Sequence, residues 1–236
     1  MFTRVDISAA FKAAVPIMLG YVAIGLPCGI LSASIGLNAF QVFLMCALFY
    51  SGAGQFMIPN MWLAGSPVAS IIASVSFVNT RQMLYSTAFA PWVEGASKRL
   101  SFWFAASVTD ESFGVNLQRF EQGGWSVARA TLVNVFSQSS WTISCVVGTL
   151  IGEALADFIP LNIAAFAMTS IFICLLVTQK LTPENVVAAI CAMVGVFACK
   201  AVGLSGPAIF LGAIIGVACA FAFARVRERA GAHATD

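Results

Sequence analysis

The residues most able to do chemistry in this sequence are the few charged side chains that interrupt long apolar stretches. Arg81 lies within Phe77-Val78-Asn79-Thr80-Arg81-Gln82-Met83-Leu84-Tyr85, ten residues before Pro91. A charge at mid-membrane costs about 2.5–3.5 kcal/mol on insertion scales and persists mainly where it faces a bundle interior or an aqueous cavity. Its planar guanidinium can hold a carboxylate through two parallel hydrogen bonds. The plainer alternative is an arginine that snorkels to the interface or stays paired with an acid.

Asp110 and Glu111 form the second constellation, inside Ser107-Val108-Thr109-Asp110-Glu111-Ser112-Phe113. Successive side chains on a helix point about 100° apart, so the two acids need not share an environment. One can pair with Arg81 while the other receives an amine or a proton. The alternative places both at a helix start, where they stabilise the dipole.

A third cluster lies in Tyr50-Ser51-Gly52-Ala53-Gly54-Gln55-Phe56, with Pro59 shortly after. Two glycines and a proline so close together point to a helix break. A break frees backbone N–H and C=O groups, which transporters use to bind substrates and ions. Gln55 adds a donor and an acceptor. At an offset of 86 residues stands a hydroxyl-rich counterpart, Phe136-Ser137-Gln138-Ser139-Ser140-Trp141. Glycines also serve close helix packing, and Gly25/Gly29, Gly148/Gly152 and Gly212/Gly216 have the four-residue spacing for it.

The elements that position these groups follow from charge. Of the 236 residues 60% are hydrophobic and 9% charged, against about 25% charged in soluble domains. No charge occurs from Ala13 to Thr80, and Ala130–Gly152, Phe158–Gln179 and Ala201–Ala224 are also charge-free. About 20 apolar residues cross a bilayer as a helix. The expected fold is therefore all-α: a polytopic transmembrane bundle of about eight spans, seven if one short candidate is re-entrant. The candidates are 13–36, 39–64, 68–90, 100–118, 127–152, 158–178, 184–200 and 205–225. The whole chain, 1–236, reads as one integral membrane domain. Residues 13–90 and 100–178 are nearly equal in length with three spans each, which suggests an inverted repeat followed by the span pair 184–225.

Lysine and arginine in the short loops set the orientation. Eight of them (Arg4, Lys12, Arg119, Arg129, Lys180, Arg225, Arg227 and Arg229) fall on one side, and Lys98, Arg99 and Lys200 on the other. Both termini are expected in the cytoplasm. Asp6 and Lys12 interrupt the first apolar stretch, so it is expected to stay attached rather than act as a signal peptide. A net charge of +2 gives no reason to expect a nucleic-acid partner. The seven cysteines lie in apolar segments without a Cys-x-x-Cys pair and read as packing residues. The only histidine is His233, in the polar tail. His-based zinc sites and the usual general base are thus missing from the apolar segments, and no enzyme activity, metal or cofactor is expected.

The ordered set Tyr50-Ser51-Gly52-Ala53-Gly54-Gln55-Phe56, Asn79-Thr80-Arg81-Gln82 and Thr109-Asp110-Glu111-Ser112-Phe113 resembles the AzlC family. That family is the large subunit of bacterial branched-chain amino acid exporters. Ser139-Ser140-Trp141 and Gly148-Thr149-Leu150-Ile151-Gly152 extend the likeness, which runs from about residue 10 to 220. The resemblance implies export of leucine, isoleucine, valine and sometimes methionine across the bacterial inner membrane. It also implies a separate small membrane subunit of the AzlD type. The family commonly has histidine where this chain has Gln82, so a group titrating near neutral pH is missing there.

The resulting expectation is a secondary exporter working by alternating access. Arg81 would bind the substrate carboxylate, helped by Gln55 and the broken helix at Ser51, Gly52 and Gly54. Asp110 or Glu111 would take the ammonium or a coupling proton. Asn79, Gln82, Ser140 and Trp141 complete the candidate binding set, with Phe56, Phe77 and Trp141 offered to the aliphatic part. The rival reading is a channel, or a carrier for another small solute such as an organic acid.

Overall fold

The computed structural model describes residues 4–155, five single positions between 166 and 177, residues 182–203 and residues 208–232. Most of the expected sixth span, 158–178, lies outside the described residues, as do Cys174, Lys180 and His233. Every regular element among the described residues is a helix. They are α1 (Arg4–Ser34), α2 (Ala39–Leu48), α3 (Gly52–Leu63), α4 (Val68–Ala88), α5 (Ala90–Val93), α6 (Lys98–Ala106), α7 (Asp110–Glu121), α8 (Val127–Ala154), α9 (Pro183–Ala201) and α10 (Ala208–Ala232).

Two helices among the described residues, α1 and α9, are each long and apolar enough to cross a membrane. The second and fourth candidate spans are each divided in two. The stretch 39–64 becomes α2 and α3, separated at Phe49-Tyr50-Ser51, and 100–118 becomes α6 and α7, separated at Ser107-Val108-Thr109. The first break precedes Gly52 and Gly54 rather than falling on them, and Pro59 sits inside α3. Hydroxyl N-caps set both positions. Ser51 is extended (φ −151°, ψ 102°) and accepts from the Gly54 N–H, and Thr109 (φ −119°, ψ 175°) forms a capping box with Ser112. Serine and threonine favour this role because a side-chain oxygen replaces the missing intrahelical acceptor. The segment 136–141, at the 86-residue offset from the first break, lies within unbroken α8.

The chain divides into two compact units. The first comprises Met1–Ala64 and Val78–Ser170, the second Gly65–Phe77 and Ile171–Asp236. Helices α1 and α8 form the spine of the first. Their contacts advance together along both sequences, from Asp6 with Arg129, through Phe11 with Phe136, to Thr149 with Gly29. The two helices are therefore parallel, and their starts share one end of the unit. Close approach rests on the glycines whose spacing suggested it. A Cβ on Gly25 would come within 2.7 Å of Ser144 Cβ, one on Gly29 within 2.6 Å of Thr149 N, and one on Gly148 would collide with the Leu26 carbonyl. In the second unit α9 and α10 pack antiparallel, through Gly195, Gly212 and Gly216. Glu184 near the start of α9 meets Arg227 near the end of α10, with 2.5 Å between Oε1 and Nη1.

Candidate functional site

A helix broken inside an apolar stretch must find new partners for its freed backbone groups, because apolar surroundings offer none. One face of α8 supplies many of them. Asn134, Gln138 and Trp141 follow at spacings of four and three, which aligns them on a helix. Asn134 Nδ2 donates to the Phe104 carbonyl at 3.3 Å and to Ser107 Oγ at 3.1 Å, at the end of α6. Gln138 Nε2 donates to the Cys46 carbonyl at 3.2 Å, at the end of α2. Trp141 Nε1 donates to Gln55 Oε1 at 2.7 Å, and Gln55 Nε2 donates in turn to the Phe49 carbonyl at 2.5 Å. The two clusters singled out at the 86-residue offset thus touch through Gln55 and Trp141.

Gln55 is fully buried, and its oxygen also accepts from Cys46 Sγ at 3.5 Å. In this state its amide is committed to protein groups. Phe56 and Trp141 are sealed as well, at 0% and 2% exposure, with ring centroids 6.4 Å apart. Ser140 Oγ donates to the Met18 carbonyl at 3.0 Å, within the contact of α1 and α8. Gly52 and Gly54 allow close approach of rings: a Cβ on Gly54 would lie 2.8 Å from the Phe49 ring, and one on Gly52 3.4 Å from the Trp141 ring.

Helix α4 brings the polar groups of the third span to both breaks. Asn79, Gln82 and Ser86 repeat at helical spacing. Asn79 Oδ1 accepts from Ser51 Oγ at 2.5 Å, and Gln82 Nε2 donates to the Tyr50 carbonyl at 3.2 Å. Ser86 Oγ donates to the Ala105 carbonyl at 3.1 Å. On the adjacent face, Arg81 Nη2 lies 2.8 Å from Asp110 Oδ2, while Tyr85 donates to Asp110 Oδ1 at 2.5 Å. Arg81 Nε is buried and makes no hydrogen bond. Glu111, one residue on, turns to α1, where the Tyr21 hydroxyl donates to its Oε2 at 2.7 Å and lies 2.8 Å from Thr109 Oγ1.

The sequence reading missed the tyrosines. The chain has three tyrosines against 20 phenylalanines, and Tyr21, Tyr50 and Tyr85 all stand around the start of α7. A hydroxyl kept on only three of 23 such rings, each in a different apolar segment, is a signal that composition already carries. Asn134 was missed too, because its role depends on which carbonyls α8 meets, whereas Gln138 stood in the hydroxyl-rich counterpart already named. A cleft of about 830 Å³ is formed by the end of α4, α5 and α6, lined by Ser86, Thr87, Ala90, Glu94, Phe104 and Ala105 among others. Among the described residues no group of three or more His, Cys, Asp or Glu side chains is arranged to hold a metal.

Comparison with known proteins agrees with this membrane-type architecture. The AzlC protein family matches residues 16–155, which includes both breaks, α4 and α8. The chain belongs to the AzlC family. Membership sets it among membrane transport proteins rather than enzymes. A membrane protein of Helicobacter pylori (strain J99) is 30% identical over 74% of this chain and 77% of its own length. The branched-chain amino acid transport protein AzlC of Bacillus subtilis is 26% identical over 76% of this chain and 71% of its own. The inner membrane protein YgaZ of Escherichia coli is 24% identical, covering 71% of each chain. No solved structure matches.

Proposed function

We propose that this chain is a secondary exporter of hydrophobic amino acids, with leucine, isoleucine, valine and methionine as substrates. It works by alternating access in the bacterial inner membrane, with both termini in the cytoplasm and a small AzlD-type subunit as partner. The observation that carries the reading is Arg81. Its guanidinium is carried by α4, is held on one side by Asp110 at the start of α7, and keeps a buried, unbonded Nε. Helix starts carry unpaired N–H groups and a partial positive charge, which favours an anionic group. The printed function of the Bacillus relative supports the same substrate class.

In this scheme the substrate carboxylate competes with Asp110 for Arg81, so Asp110 acts as an exchangeable counter-ion that keeps the empty arginine neutralised. Gln82 and Asn79 fix the first break against α4 and so set the position of the α3 start with its Ser51 cap. Gln55 and Trp141 serve the site by holding that break, and Ser140 by joining α1 to α8, rather than by touching substrate. The aliphatic side chain takes the cleft at the end of α4, whose lining is largely apolar.

The test is accelerated exchange of labelled leucine in proteoliposomes, with and without the small partner. Leucine, isoleucine, valine, methionine or a dicarboxylate is loaded on the opposite side. Exchange driven by the aliphatic amino acids supports the proposal. Exchange driven only by the dicarboxylate, or flux without acceleration, replaces it with an organic-acid carrier or a channel.

A further inference from the structure

Two buried side-chain polar atoms among the described residues make no hydrogen bond: Arg81 Nε and the Tyr50 hydroxyl. Buried polar groups are nearly always paired, so such an atom marks a place where water or a ligand belongs. The two share a neighbourhood. The Tyr50 carbonyl accepts from Gln82 Nε2 at 3.2 Å, and Gln82 follows Arg81 on α4. Arg81 meets the start of α7 at Asp110. Tyr50, in the first break and only 9% exposed, meets the same start through its ring. Its hydroxyl comes near Thr109 and Tyr21, within electrostatic reach of Glu111, yet makes no hydrogen bond of sound geometry to any of them.

The two atoms differ in kind. Arg81 Nε only donates, whereas a phenol oxygen also accepts. A free donor in a guanidinium suits a carboxylate, and the substrate carboxylate is already assigned there. A free acceptor near a carboxylate suits a cationic N–H. Glu111 is exposed and pairs with no cation among the described residues. Tyr21 donates to its Oε2 at 2.7 Å, and among the described residues Oε1 receives no hydrogen bond. The Tyr21 hydroxyl also lies 2.8 Å from Thr109 Oγ1, so Tyr21 is committed and Tyr50 is not.

An α-amino acid carries an anionic acceptor and a cationic donor on one carbon, the pair of groups these unmet atoms call for. We infer that the Tyr50 hydroxyl, with Glu111 beside it, is the subsite for the substrate ammonium and lets this chain prefer an amino acid to the same carboxylate without its amine. The inference rests on the amino-acid reading above. In the loaded state one ammonium N–H goes to Glu111 Oε1 and a second to the Tyr50 oxygen, whose own O–H turns to Thr109 Oγ1. Tyr21 stays on Oε2 and fixes the carboxylate. Tyr85 keeps Asp110 Oδ1 while the substrate carboxylate takes Arg81.

The experiment uses the full protein in detergent, with its small partner where binding requires it. Affinities for leucine and for 4-methylpentanoate, which is leucine without its amine, are measured on the wild type and on Tyr50→Phe, each first shown to melt as a folded protein. The wild type should prefer leucine by about a hundredfold, since two hydrogen bonds to a charged group are at stake. Tyr50→Phe should bind leucine about tenfold more weakly and 4-methylpentanoate as the wild type does. A folded Tyr50→Phe with the wild-type preference overturns the inference, and so does an equal loss of both ligands, which a merely structural tyrosine would give. If Tyr50→Phe does not fold, wild type labelled with 3-fluorotyrosine decides. Its three tyrosines give three fluorine resonances, and Tyr21→Phe and Tyr85→Phe identify that of Tyr50 by elimination. Leucine should move the Tyr50 resonance and 4-methylpentanoate should not; a Tyr50 resonance that leucine leaves in place overturns the inference. A wild type that binds both ligands equally also overturns it and leaves the carboxylate role of Arg81 standing. A wild type that binds neither is a different failure, that of the amino-acid reading itself, and the inference falls with it.

Discussion

Replacing Gln55 by leucine separates a strut from a substrate ligand. The side chain is buried and ties Trp141 on α8 to the end of α2. Leucine fills a similar volume but leaves the Trp141 N–H without an acceptor, which costs about 1–3 kcal/mol for a buried donor. The Phe49 carbonyl loses its 2.5 Å bond but keeps the Ser51 N–H at 3.1 Å, so that change costs only about 0.5–1.5 kcal/mol. Together the loss is about 1.5–4.5 kcal/mol, or a melting temperature lower by at least about 3 °C for a chain of this size. Gln55→Glu should do no better, since a carboxylate accepts from Trp141 but has no N–H for Phe49. The assay is thermal unfolding of the purified protein in detergent, followed by tryptophan fluorescence and by loss of leucine exchange. Wild-type melting of Gln55→Leu together with a large loss of leucine affinity would refute the strut and make Gln55 a direct ligand.

Gly29→Ala and Gly148→Ala should each lower stability by about 1–3 kcal/mol in the same melting assay, because the added Cβ meets backbone atoms across the α1–α8 contact. Gly20→Ala, with nothing near its added Cβ, should be neutral or stabilising by up to about 1 kcal/mol. Asp110→Asn should tighten leucine binding about tenfold, by removing a charged competitor for Arg81, and slow turnover; binding and flux measured side by side check both. Glu184→Gln should leave the melting temperature unchanged, since Arg227 in that pair is 60% exposed and water screens the attraction.

Much of the frame was legible in advance, for reasons that differ by element. Candidate limits such as 127–152 and 184–200 fall close to α8 and α9 because charge-free length is a strong constraint. The three glycine pairs were readable because spacing alone dictates close packing. The first break was seen but misplaced. Gly52, Gly54 and Pro59 are the local break signals, whereas the chain leaves the helix at Phe49-Tyr50-Ser51 and the glycines admit the Phe49 and Trp141 rings. The second break went unread, although Thr109 with Ser112 three residues on carries a capping signal; the short span around Asp110 and Glu111 drew the reading to its charges instead. The divergence of the two acids followed from helix geometry, and the structure places Asp110 with Arg81 and Glu111 with Tyr21. Which carbonyls Asn134 and Gln138 would meet depends on neighbours far away in sequence, and no local pattern encodes it.

The most direct test of the central claim is binding of labelled leucine to purified wild type, Arg81→Ala and Arg81→Lys, each first shown to melt as a folded protein. If the substrate carboxylate is held at Arg81 beside the two helix breaks, Arg81→Ala loses binding and Arg81→Lys, a point charge without the planar fork, retains only a weak remnant. Wild-type leucine affinity in both folded variants would contradict the account.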